Sequence, residues 1–93
     1  YYIVTKELPN GIKKDGEVRF IGVPVGHIRD IYFSDPHSAT IEIWLSIDDN
    51  LPIKTDSQAI VERSGISGIA HINITKGSDT ARIFNKMKEL KLA

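Results

Sequence analysis

Three histidines, one acidic run and several glycine-bracketed turns are the parts of this 93-residue chain that could support chemistry. His27, His37 and His71 have no i,i+4 spacing and join no carboxylate in a metal-ligand pattern, so each reads as a surface residue. Asp48-Asp49-Asn50 starts like a calcium loop, but the alternating acidic ligands and the closing glutamate are missing, which leaves a solvated turn. Gly22 and Gly26 have GxxxG spacing, which outside an apolar helix marks a turn, and no phosphate-binding glycine loop precedes a helix. Asn73-Ile74-Thr75 has the form of a glycosylation site but lies within a strand pattern, where it makes a poor acceptor. These residue types predict no catalytic site, no cofactor and no metal.

One stretch stands apart. Ser64-Gly65-Ile66-Ser67-Gly68-Ile69 is a loop framed by two glycines and tipped with two isoleucines, and it runs straight into Ala70-His71-Ile72-Asn73-Ile74. An isoleucine left in water forfeits roughly 1.5–3 kcal/mol of burial. The loop therefore needs somewhere apolar to go: its own core, a partner chain or a lipid.

The elements that position this loop read mainly as strands. Ile41, Ile43, Leu45 and Ile47 share one face of the stretch Thr40 to Ile47, and Ala70, Ile72 and Ile74 alternate with His71 and Asn73 in the same way. Weaker strands fall at Tyr1 to Thr5, Glu17 to Ile21, His27 to Phe33 and Ser57 to Arg63, with a slip in apolar parity between Ile28 and Ile31 that suggests a bulge or twist. Pro9-Asn10-Gly11, Lys14-Asp15-Gly16, Gly22-Val23-Pro24-Val25-Gly26 and Asp48-Asp49-Asn50-Leu51-Pro52 punctuate them. The fold class is all-β, a small barrel of about six to seven strands, because a closed barrel leaves no edge to aggregate.

After Gly77 the period changes. Ser78-Asp79 offers an N-cap, and Thr80, Ile83, Met87 and Leu90 follow at helical spacing, with Phe84 widening the stripe. The expected domain map is a barrel over residues 1–77 and a C-terminal helix starting near residue 79 and occupying 78–93. That helix either packs back on the barrel or continues as a stalk or bundle segment. Trp44 lies on the face of its strand opposite the core residues, where it either covers the barrel exterior or meets another subunit.

Composition limits the partners. Lys+Arg and Asp+Glu both number 12, and a neutral chain lacks the basic surface on which nucleic-acid affinity depends. Cysteine is absent, which removes disulfides and thiolate metal sites. No apolar run approaches the ~20 residues that span a bilayer. The start at Tyr1 suggests a segment of a longer protein whose anchor or export signal lies elsewhere.

Four ordered segments resemble the mammalian cell entry (MCE) domain, in the form found in MlaD-like proteins of bacterial lipid transport. Asn10 to Gly16 is similar to the family's opening loop. Val18-Arg19-Phe20-Ile21-Gly22-Val23-Pro24-Val25-Gly26-His27-Ile28 is similar to its V-x-[aromatic]-x-G-V-x-V-G-x-V segment. Leu51 to Ala59 resembles its I-P-x-D-S-x-A piece, and the isoleucine loop occupies the place of its S-G-L-L-G-x-x-Y-I-x-I. Ser67 stands where the family often has a second large aliphatic residue, and His71 where it often has an aromatic.

The resemblance implies a homohexameric ring in the periplasm, anchored to the inner membrane by an N-terminal transmembrane helix and working with the permease and ATPase subunits of an ABC transporter. Phospholipid or another lipid would pass through its pore. Gly65, Ile66, Ser67, Gly68 and Ile69 would form the lipid pore loop, the glycines shaping it, and Trp44 remains a candidate subunit contact. The alternative is a scaffold or adhesion module that uses the same barrel for protein–protein contacts.

Overall fold

The computed structural model describes every residue except Pro36, Asp49, Ser64, Ile66, Ser67 and 85–88. Seven strands follow one another: β1 (Tyr2–Thr5), β2 (Glu17–Phe20), β3 (Val23–Asp35), β4 (Thr40–Ile47), β5 (Gln58–Arg63), β6 (Ala70–Ile74) and β7 (Glu89–Leu92). They close into a barrel in the order β1-β4-β3-β2-β6-β5-β7. The pairs β1–β7, β2–β6 and β5–β7 are parallel and the others antiparallel. No helix long and apolar enough to cross a membrane occurs among the described residues.

The strand directions sort the connections between two ends. The β1–β2, β3–β4 and β5–β6 connections gather at one, called the loop end here. The β2–β3, β4–β5 and β6–β7 connections gather at the other, the hairpin end.

Alternation sets the core. Ile43 and Leu45 on β4, and Ala70, Ile72 and Ile74 on β6, point inward with Ile3, Val18, Phe20, Ile28, Ile53 and Leu90. The β-branched side chains that dominate this list suit a pleated, half-buried surface. The parity slip noted in β3 is a bulge: the register shifts between Ile28 and Asp30, which leaves Arg29 as the extra residue. At the hairpin end, Ile21 and Gly22 make a two-residue turn with φ of 52° and 82°. A β-branched residue is strained in this region. The turn holds because the Ile21 N–H donates to the Ile74 carbonyl at 3.0 Å and the Gly22 N–H to Asn73 Oδ1 at 2.9 Å.

The C-terminal helix expected from residue 79 is absent from the described residues, and β7 stands near its far end. The Ser78 N–H donates to the Asp56 carboxylate, and Ser78 opens only a turn, closed by the Ala81 N–H on the Ser78 carbonyl at 3.4 Å, with no helix over residues 79–84. Residues 82–84 are committed to Ile53–Thr55: the Thr55 N–H donates to the Arg82 carbonyl at 2.7 Å and the Phe84 N–H to the Ile53 carbonyl at 2.8 Å. Met87 lies outside the described residues. Leu90, read as the last residue of a helical stripe, is 1% exposed inside the barrel. The physical reason is closure. Without β7, β1 and β5 would each carry an unpaired edge, and sealing it outweighs a short helical pattern.

Candidate functional site

The β5–β6 loop is held from both sides. On β5 and β6 the last cross-strand pairs before it are Glu62 with His71 and then Arg63 with Ala70. Beyond them Gly65 and Gly68 take φ of 54° and 76°, values that favour glycine. Ile69, the last loop residue, is 61% exposed. Ile66 and Ser67 lie outside the described residues, so of the five expected loop residues the structure places Gly65, Gly68 and Ile69.

The base of the loop rests on the β1–β2 connection. Gly11, at φ 85°, packs so closely that a Cβ there would stand 2.9 Å from the Ala70 Cβ and 3.0 Å from the Gly68 carbonyl oxygen. Arg63 Nη2 donates to the Asn10 carbonyl at 3.0 Å. The sequence marked Asn10-Gly11 as a turn; its second role, as the floor under residues 68–70, is a long-range contact with no local signature.

His71 was expected at the surface and is buried, at 7% exposure. It points to the outer face of β6, yet Glu62 on β5 covers it, with Nε2 2.9 Å from Glu62 Oε1. Glu17 lies along the same row on β2, one residue before the Val18–Ile72 pair. Arg19 binds Glu17 through both Nε (3.0 Å) and Nη2 (3.2 Å), and these hydrogen bonds hold the Glu17 carboxyl below its ordinary range, with His71 pulling the same way. His27 and His37 are exposed, as expected.

Trp44 is half-buried on the outer wall of β4. It stacks on Tyr2 with ring centroids 4.9 Å apart, carries the Arg29 guanidinium 5.4 Å from its ring centre, and donates from Nε1 to Glu42 at 2.8 Å. Tyr32 donates its hydroxyl to the same Glu42 oxygen at 3.1 Å. Within its own chain Trp44 thus has a ring, a cation and a carboxylate as partners, and part of it remains exposed.

The segment from Ile53 to Ala59 proves to be an anchor. Ser57, 3% exposed, accepts the Lys54 N–H at 2.9 Å, and Asp56 accepts the Ser78 N–H at 3.1 Å with each carboxylate oxygen. These bonds pull Asp56 below the usual carboxylate range. Among the described residues no three His, Cys, Asp or Glu side chains gather as metal ligands. What the loop end offers is an exposed Ile69 above a base held by the close packing of Gly11 and the Arg63–Asn10 hydrogen bond.

Known proteins match this architecture. No curated protein matches the sequence significantly. Among solved structures, a chain of the Acinetobacter MlaFEDB complex in its ATP-bound Vtrans1 conformation aligns with a TM-score of 0.72 at 14% identity, covering 99% of this chain and 71% of that one. At that identity the likeness shows the fold. The family model described as MlaD protein matches residues 1–77, the stretch that carries all four resembling segments, and the chain belongs to the MlaD family of MCE domains.

Proposed function

We propose that this domain binds lipid and passes it onward as one unit of a homohexameric periplasmic ring. The ring is anchored to the inner membrane by an N-terminal transmembrane helix and works with the permease and ATPase of an ABC-type phospholipid transporter. Ile66, Ser67 and Ile69 line the hole, Gly65 and Gly68 set the loop's path, and Trp44 faces a neighbouring copy. The observation that carries this reading is the exposure of Ile69 on a loop whose base is held by Gly11, Asn10 and the Glu62–His71 pair. Family membership and the fold shared with a chain of the MlaFEDB complex support it.

The physics is additive. Each CH₂ of a lipid tail left in water costs ~0.8 kcal/mol, so a tail needs a continuous apolar path. One isoleucine cannot supply it, whereas the same residue repeated around an axis makes a collar. The domain then performs no bond chemistry, and the energy comes from ATP hydrolysis in a partner.

Ile66→Asp with Ile69→Asp, introduced into the complete transport complex, is expected to abolish lipid co-purification and transport while the barrel still folds. Unchanged transport would remove the loop from the path. A photocrosslinker at position 69 separates the scaffold alternative: lipid adducts support conduction, and protein adducts alone support docking.

A further inference from the structure

The β2–β3 tip carries two costs at one residue. Ile21 holds φ at 52°, an outlier for a β-branched side chain, and it is 54% exposed. A two-residue hairpin turn with both φ values positive ordinarily carries Asn-Gly or Asp-Gly. Asparagine at this place would ease the strain and suit water. Strain of this kind persists where the surroundings over-determine it, and it gathers at contact and ligand sites.

The tip is apolar, fixed and clear of the barrel. Ile21, Gly22, Val23 and Pro24 are all exposed, and no charged residue occurs from Phe20 to Gly26. A Cβ at Gly22 would meet no atom within 4 Å. The Ile21 and Gly22 N–H groups are taken by the Ile74 carbonyl and by Asn73 Oδ1, and Pro24 has no N–H. Protein interfaces carry about one hydrogen bond per 100–200 Å², and these three residues have no donor left to give. A partner that asks for none is a lipid surface, where the remaining carbonyls keep their water at headgroup level.

Topology places the tip. It belongs to the hairpin end, where Tyr1 also stands, its carbonyl accepting the Leu45 N–H at 2.9 Å. In the proposed ring the loop end faces the hole, so the hairpin end forms the outer rim. The anchor helix reaches Tyr1 from the bilayer at that rim. Ile83, on the β6–β7 connection, is exposed at the same end. Asp48 stands at the base of the tip, its N–H on the Val25 carbonyl at 3.0 Å, and its exposed carboxylate stays in water. Only the tip itself can enter lipid.

We propose that Ile21, Val23 and Pro24 dip into the headgroup region of the bilayer that holds the anchor, so that each barrel rests on lipid at the rim. This rests on the N-terminal anchor of the function proposed above and adds a second, shallow membrane contact. Three apolar side chains bind weakly alone. An anchor beside each tip and repetition around the ring make the contact effective.

The test uses the full-length protein in its complete complex, reconstituted in phosphatidylcholine vesicles, with any cysteine outside this domain replaced by serine; the domain itself has none. Val23→Cys carrying a nitrobenzoxadiazole fluorophore is expected to shift its emission to the blue. A lipid nitroxide near the headgroup quenches it about twofold or more and one at the acyl end much less, because the contact is only roughly 5–10 Å deep. Raising the salt leaves both signals unchanged, since no charge takes part. His37→Cys with the same label, at the loop end, stays unshifted. Ile21→Asn relieves the turn, so the thermal midpoint holds or rises while quenching at position 23 is lost. A blue shift that neither nitroxide quenches would put the tip in protein, and an unshifted label would leave it in water. Either result, or an Ile21→Asn protein that keeps full quenching, would overturn the lipid contact and leave the anchor standing. Full-length protein that leaves the vesicles in alkaline carbonate would remove the anchor and the contact together.

Discussion

Gly11 is the residue on which the geometry of the candidate loop turns. An alanine there meets the Ala70 side chain at 2.9 Å and a backbone oxygen at 3.0 Å, and it must also hold φ at 85°. Gly11→Ala is expected to cost about 1–3 kcal/mol in chemical denaturation, with amide exchange accelerated most around residues 68–70. Asp56 controls the other end. Its folded pKa is depressed by the Ser78 N–H bonds, so its contribution is present above the unfolded value of about 3.9 and is lost as pH falls through the lower folded value. Glu17, held down by Arg19, and Asp35, held down by Ser38, have the same sign. The thermal midpoint is therefore expected to be nearly flat from neutral pH to about pH 5 and to drop below about pH 4. Asp56→Asn should lower the neutral midpoint and make the acid limb shallower, which a Tm series against pH reads directly.

At the scale of elements, β7 decides whether the barrel is closed. Its pairs with β1 (Tyr2 with Glu89, Ile3 with Leu90) and with β5 (Gln58 with Lys91, Ala59 with Leu92) seal two edges at once. Leu90→Ala is expected to destabilise by about 2–5 kcal/mol, as for other fully buried leucines. A surface helix at this place would lose a few tenths of that, so a denaturant titration separates the two structures. This strand was illegible in the sequence because Thr80, Ile83, Met87 and Leu90 happen to fall at helical spacing, and the demand that overrides the pattern comes from the edges of β1 and β5, far away along the chain. By contrast β4 and β6 could be read outright, since Ile41, Ile43, Leu45 and Ile47, and Ala70, Ile72 and Ile74, alternate without interruption. The bulge was legible too, as the broken parity around Ile28. The glycines and isoleucines of the loop announced themselves by type. Its supports did not, because Gly11 under Ala70 and Glu62 over His71 are contacts between segments whose local patterns are silent about one another.

The whole molecule is flatter than a sphere, with extents of 36 × 35 × 20 Å and a surface of 5915 Å². A domain of 10.4 kDa is expected to expose about 5,400 Å², and this one exposes slightly more, as its flattened shape requires. Some of the excess is apolar: Ile69 and Phe33 are exposed by 61% and 62% toward the loop end, and Ile21 and Val23 by 54% and 60% at the hairpin end. In the proposed ring, Ile69 is the member of the loop-end set that Ile69→Asp withdraws from lipid, and that variant is expected to weaken transport without touching the core.

The parallel pairing of β1 with β7 has a mechanical consequence. The chain enters the barrel at the hairpin end and leaves it at the loop end, with its first and last strands side by side. Tension applied through the two termini therefore slides these strands past one another lengthwise. Their hydrogen bonds share the load together and do not open in succession like a zipper. The seam that closes the fold is thus also a tensile link, stiff along the line that joins whatever precedes the domain to whatever follows it.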